Sequence, residues 1–267
     1  MSMPTGKAVT LEFAGYDNLE VRFPKTDRAL AQDEEWFELR DGDAWRRFRL
    51  HDYAEIYKVP GLYESLFYRL LRCCSPRRVV NLLEVVLRDA GESPRGLRVL
   101  DVGAGNGMVG EQVWNLGAAS VVGVDIIEEA KEAALRDRSH VYAEYVVADL
   151  ADLAEETERR LRRHALNCLT TVAALGYGDI PAAAFLKALD LVETPAWLAF
   201  NIKEDFLWGS DETGFERLVR RLRRERVMRV EAYRRYPHRV SIRGEPLYYV
   251  AVVARKLREL PDDWLSA

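Results

Sequence analysis

Cysteine and histidine are scarce in this chain of 267 residues, at three and four copies, and neither recurs at metal-ligand spacing. Cys73 and Cys74 are adjacent and Cys168 stands alone. That pattern gives no disulfide framework of the kind small secreted domains need, and no C-x-x-C pair for a metal. Apolar runs are short, none approaching the ~20 residues that span a bilayer. The opening Met1-Ser2-Met3-Pro4-Thr5-Gly6-Lys7 lacks the apolar core of a secretory signal. These absences predict a cytoplasmic protein with reduced thiols and no metal centre. Neither sign of charge dominates, with 39 Lys and Arg against 43 Asp and Glu for a net charge of −4. A global attraction to nucleic acid or to an anionic membrane is thereby argued against.

What the chain does have is a run of alternating glycines. Residues 98–110 read Arg-Val-Leu-Asp-Val-Gly-Ala-Gly-Asn-Gly-Met-Val-Gly. Val99 to Val102 predict a buried strand and Met108 to Leu116 the start of a helix. Gly103, Gly105 and Gly107 between them make a turn with almost no side-chain bulk, so bare backbone can approach a ligand and helix N-terminal amides point at it. Asp101 stands just before the turn, where a carboxylate meets positive charge. A dinucleotide-binding turn wants G-x-G-x-x-G, which from Gly103 and Gly105 requires the third glycine at position 108. That position is Met108, so a nicotinamide cofactor is disfavoured.

Two more apolar runs follow, and each ends in an acid. Ala118 to Val124 leads to Asp125, which lies 22 residues past Gly103. Tyr142 to Val147 leads to Asp149. Each aspartate alone fits a helix N-cap, the commoner task after a strand. Three acids at three successive strand ends point instead to one shared ligand.

An acid followed by G-x-G-x-G resembles motif I of the class I S-adenosylmethionine-dependent methyltransferases, and the resemblance extends from Asp52 to the last strand. It implies an α/β, Rossmann-like, seven-stranded, mostly parallel sheet with an antiparallel last strand and helices on both faces. It implies S-adenosyl-L-methionine as cofactor, contacted by Asp101, Gly103, Ala104, Gly105, Asn106 and Gly107. By the same resemblance Asp125 takes both ribose hydroxyls, Asp149 the adenine amino group, and Ile126 and Leu150 sandwich the ring. Ala174 lies in Ala-Ala-Leu-Gly-Tyr-Gly-Asp-Ile-Pro, a stretch similar to the Williams–Beuren-region methyltransferase type and its bacterial relatives; it is expected against the cofactor. Tyr53 and Tyr57 correspond to lid tyrosines that pack over the methionine moiety. Tyr177, Asp179 and His238 are the catalytic candidates, with Glu204 and Asp205 after the fifth strand as further polar groups.

Four segments are expected. Residues 1–50 alternate in short pieces, with Asp41-Gly42 as a hairpin turn, and form a small β extension acting as a lid or dimer contact. It is too short to bury a core alone. Residues 51–96 form a helical cap, with helices broken at Pro60-Gly61 and a further helix over Val79 to Ala90. Residues 97–256 form the core, with later strands at Asn167–Ala174, Trp197–Ile202, Met228–Tyr233 and Tyr248–Ala254. Its later helices fall at Leu153–His164, Ala182–Leu191 and Glu212–Arg226. Residues 257–267 are a tail.

The function expected is methyl transfer to a small molecule, by a monomer or homodimer. Two alternatives stay open. The arginine-rich stretch 217–243 suits an RNA or protein substrate as well as a solvated helix face. A cofactor-binding partner protein without catalysis would carry the same glycine turn.

Overall fold

A computed structural model describes residues 6–12, 18–26, 30–175, 180–204 and 214–264, with the side chain of Asp262 excepted. The chain forms two compact units, one of residues 1–74 and 237–248 and the other of residues 75–236 and 249–267. The stretch 237–248 belongs with the first unit.

The first unit is built on a four-stranded antiparallel sheet of β1 (Ala8–Leu11), β2 (Leu19–Arg22), β3 (Trp36–Asp41) and β4 (Ala44–Arg49), in that order. Period-two alternation sends Phe37, Leu39 and Phe48 inward and leaves Trp36 and Trp45 under the guanidinium groups of Arg47 and Arg22. Asp41 pairs with Ala44, so the turn is Gly42-Asp43, one residue beyond its expected place. Gly42, at φ +59°, supplies the left-handed conformation that a two-residue hairpin turn needs. Two short helices follow, α1 (Tyr53–Tyr57) and α2 (Leu62–Glu64), interrupted at Pro60-Gly61 as expected. α2 runs into a π-helical turn over Ser65–Leu70. Ile56, Leu62, Leu66, Phe67, Leu71 and Ile242 close the sheet's apolar face. The β extension thus acquires the core it was too short to build alone.

The second unit begins with α3 (Ser75–Asp89), whose Val79, Val80, Leu82, Leu83, Val86 and Leu87 are buried on one stripe. Seven strands then form one sheet. In chain order they are β5 (Arg98–Val102), β6 (Ser120–Asp125), β7 (Glu144–Val147), β8 (Cys168–Thr171), β9 (Ala196–Lys203), β10 (Met228–Val240) and β11 (Pro246–Lys256). In space they run β10-β11-β9-β8-β5-β6-β7. β5 pairs in parallel with both β6 and β8, and β11 lies antiparallel to β9. The expected seven-stranded α/β sheet with a reversed last strand is what forms.

The helices between the strands are α4 (Met108–Leu116), α5 (Glu128–Arg138), α6 (Glu155–Arg162), α7 (Ala182–Leu191) and α8 (Phe215–Arg224). Leu161, Phe185, Phe215, Leu218 and Leu222 of α6, α7 and α8 cover one face of the sheet, against Leu100, Val102, Leu198 and Phe200. Alternation along β5 turns Val99 and Asp101 to the opposite face, where α3 and α4 pack on each other and on β9, β5 and β6. From central β5 the chain runs outward through β6 and β7, then returns to lay β8 on the other side. The strand order therefore reverses between β5 and β8. A crevice outside the carboxyl ends of the strands opens at such a point in an open α/β sheet. No helix among the described residues is long and apolar enough to cross a membrane.

Candidate functional site

The glycine run stands at that reversal. Gly103, Gly105 and Gly107 have φ of +68°, +54° and +90°, the left-handed region that side-chain-bearing residues resist. The Gly103 and Ala104 amides donate to Val124 O at 2.9 and 3.2 Å, tying the turn to the tip of β6. A Cβ on Gly103 would stand 2.9 Å from Ala174 Cβ, so only a glycine lets the segment after β8 close on the turn. Gly107 precedes α4, and the Glu111 amide donates to its carbonyl at 2.9 Å.

Asp101 is 1 % exposed. Its Oδ1 accepts the Thr170 hydroxyl at 2.8 Å and its Oδ2 the Tyr142 hydroxyl at 2.9 Å. Burial pushes its carboxyl up to about 6, against the opposing pull of those two hydroxyls. Asp125, at the end of β6, accepts the Gly105 amide on Oδ2 at 2.8 Å and the Ile127 amide on Oδ1 at 3.0 Å. Burial raises its carboxyl too, and those amides oppose the shift. Each carboxylate oxygen keeps a second lone pair for a further donor. Asp149 lies beyond β7, with Oδ1 accepting the Ala151 amide at 2.8 Å. The neighbouring Ala148 amide donates to Asp125 O at 2.9 Å, which joins the second and third strand tips. Leu150 is buried, whereas Ile126 is 61 % exposed, a large apolar side chain held in the open directly after the Asp125 carboxylate.

The structure places Asp101, the turn from Gly103 to Gly107, Asp125 and Ala174 around the reversal point, with Ile126 just beyond β6 and Asp149 and Leu150 just beyond β7. Tyr53, Tyr57 and His238 belong to the first unit. There Tyr53 stacks on Tyr57 and on His51, and Tyr57 meets Tyr63 with ring centroids 4.8 Å apart. His238 is buried, with Nδ1 3.8 Å from Cys73 Sγ. Burial and the charge of Arg239 hold its imidazole well below the usual range and hence neutral. Tyr177, Asp179 and Asp205 lie outside the described residues. Glu204 follows β9 and accepts from Arg235 at 2.6 Å.

Several supporting residues escaped the sequence reading. Tyr145 donates to Gly105 O at 2.7 Å. Buried Arg138, at the end of α5, donates to Asn106 O at 3.1 Å and sits 3.3 Å from Glu111. Tyr142 bonds Asp101 and packs where a Cβ on Gly110 or Gly123 would stand. The available signal was Gly110 and Gly123 themselves, glycines inside a helix and a strand with no turn to make, which mark a close approach.

Residues 99–176 match the methyltransferase domain family. A ubiquinone biosynthesis O-methyltransferase of Neisseria meningitidis serogroup C (strain 053442) is 31% identical over 127 residues, covering 46% of this chain and 50% of that protein. The chain thus spans about half the length of the curated relatives it matches. Among solved structures, a putative RNA methyltransferase from Pyrococcus horikoshii is 16% identical, with a TM-score of 0.49 over 70% of this chain and 88% of that one. The magnesium protoporphyrin IX methyltransferase of Synechocystis PCC 6803 is 17% identical, with a TM-score of 0.46 over 68% and 79%. The matching stretch holds the glycine turn and all three strand-tip acids, so over residues 99–176 this chain is similar to methyltransferase domains.

Proposed function

We propose that this chain binds S-adenosyl-L-methionine and catalyses transfer of its methyl group to a small-molecule acceptor. The observation that carries the reading is one left-handed glycine turn at the reversal between β5 and β8, with Asp101 directly before it and Asp125 bonded to its Gly105 amide, while Asp149 stands at the tip of β7. The donor set suits this cofactor's chemistry. It has an ammonium for a carboxylate at Asp101, a ribose diol for the two oxygens of Asp125, and an adenine amino group for Asp149. The exposed Ile126 offers an apolar face for the base. A pyrophosphate would find acids where it needs amides and cations.

When bound, the cofactor supplies an electrophilic methyl on a sulfonium. The chain's part is to hold the acceptor nucleophile in line with that S–CH3 bond and to exclude water. Such alignment supplies as much as ~7–11 kcal/mol of a barrier in favourable cases. A general base is needed only when the nucleophile keeps a proton of high pKa, and Tyr177 and Asp179 are the candidates for that task. The Neisseria relatives are named as O-methyltransferases, which makes an oxygen acceptor the first to assay.

The small-molecule reading gains support from the arginine-rich region. Arg220, Arg224, Arg229 and Arg235 each pair with a glutamate, and Arg221 stacks on Trp264 with its guanidinium 3.8 Å from the ring centroid. Arginines so paired offer less free charge to a phosphate backbone. Calorimetry with S-adenosylhomocysteine tests the cofactor reading, and removal of both ribose contacts in Asp125→Ala is expected to weaken binding by about two orders of magnitude. Unchanged affinity in that variant would sink the proposed geometry. Turnover of an oxygen acceptor then separates an enzyme from a cofactor-binding partner protein.

A further inference from the structure

Asn201 is a lone amide in the apolar strand β9, between Phe200 and Ile202 and fully buried. The parallel ladder of β8 with β9 ends at the pair Thr171 and Phe200. Two residues later Ala173 adopts φ +60°, a conformation that costs an alanine free energy and persists only where its surroundings hold it. Asn201 supplies the hold, because its Oδ1 accepts the Ala173 amide at 2.6 Å. Its Nδ2 donates to Tyr236 Oη at 2.7 Å and to Ser75 Oγ at 3.2 Å. Those two hydroxyls lie 2.6 Å from each other. The side-chain amide is thereby fixed in one orientation, with oxygen toward β8 and nitrogen toward the hydroxyls.

The consequence reaches the glycine turn. With Ala173 left-handed, Ala174 carries its Cβ into the space that a Cβ on Gly103 would need. We infer that Asn201 is a positioning residue for the cofactor turn, which through Ala173 sets Ala174 as the wall over Gly103. Asn201 touches no reacting atom in this scheme. An apolar residue at 201 would suit the strand and leave the Ala173 amide with no acceptor from β9. The purpose assigned to the wall rests on the cofactor reading above, whereas the hold on Ala173 does not.

The experiment compares Asn201→Leu with Phe200→Leu, a neighbouring core truncation outside the hydroxyl network. Amide exchange and S-adenosylhomocysteine affinity are measured well below the melting temperature of each protein. Asn201→Leu is expected to speed exchange of the Ala173 amide and to weaken S-adenosylhomocysteine binding by about tenfold each. Phe200→Leu should leave both near the wild-type value despite its lost stability. If Asn201→Leu does not fold, Tyr236→Phe serves, since it removes one of the two hydroxyls that orient the amide and leaves Asn201 in place; a smaller shift in the same two readouts is expected. Unchanged Ala173 exchange, or equal losses in Phe200→Leu, would overturn the inference. Faster Ala173 exchange in a protein whose wild type fails to bind S-adenosylhomocysteine would support the hold and remove the cofactor reading alone.

Discussion

The Tyr142 hydroxyl donates to Asp101 Oδ2 across 2.9 Å, and its ring is pressed against backbone where two elements carry glycine. A Cβ on Gly110 would stand 2.5 Å from Tyr142 Oη and 2.6 Å from Cζ, and one on Gly123 2.9 Å from Cε1. The acid that precedes the glycine run is thus positioned by a tyrosine that only a glycine of α4 and a glycine of β6 can admit. Gly110→Ala is expected to push the ring off Asp101 and to destabilise the fold by about 1–3 kcal/mol. For a chain of this length that lowers the melting temperature by roughly 2–4 °C per kcal/mol. Adding Tyr142→Leu should return part of the loss, and strict additivity in the double variant would show that ring and glycine are uncoupled.

Asp101 also gives the fold a pH dependence of a definite sign. Its carboxyl rises from an ordinary 3.8 to about 6 in the folded chain, so between those values the folded state binds more protons than the unfolded one. Stability then falls as pH rises through the window, by an amount on the order of 3 kcal/mol if the whole shift is expressed. Asp101→Asn should abolish that contribution and be more stable than wild type at pH 7 in urea unfolding. On the proposed function a cofactor ammonium would sit at Asp101 and would reverse the preference, because it favours the carboxylate. S-adenosylhomocysteine affinity in the wild type should therefore drop on acidification below about pH 6, while that of Asp101→Asn, weaker throughout, stays flat. A wild-type affinity that did not vary between pH 5 and 7 would remove Asp101 from the ligand's reach.

Much of the core was legible because its punctuation is local. α4 begins where the sequence expected, directly after Gly107 at φ +90°, and Gly117 at φ +100° closes it. α7 starts directly after Pro181. The three strand-tip acids needed no tertiary knowledge, since each closes an apolar run. Legibility failed where a partner distant in sequence decides. The fourth strand was expected to reach Ala174 but leaves the ladder after Thr171, because Ala173 turns left-handed against Asn201. β10 was expected to stop at Tyr233 and instead runs to Val240. Arg234, Arg235, His238 and Arg239 read as loop, but an edge strand tolerates charge on its open side, and Arg239 is buried against Glu35, 204 residues away.

That buried pair carries the sharpest stability prediction in the first unit. Glu35, directly before β3, accepts Arg239 Nη2 on Oε2 at 2.6 Å and the Ile242 amide on Oε1 at 2.7 Å. Both side chains are 2 % exposed. It staples the stretch 237–248 to a sheet formed more than 180 residues earlier in the chain, which apolar contacts alone would fix less specifically. Glu35→Ala strands a guanidinium and a backbone N–H in the interior and should cost about 3–5 kcal/mol, since a buried charge that loses its partner keeps its full desolvation penalty. Replacing both partners is a different experiment. Glu35→Leu with Arg239→Met removes the buried charges together, taking a partner only from the Ile242 amide and the Val240 carbonyl, and should recover most of the loss. Urea unfolding of the two single variants and the double variant, read as a cycle, checks this. A double variant as unstable as the sum of the singles would mean that each side chain stabilises the unit through contacts other than their ion pair.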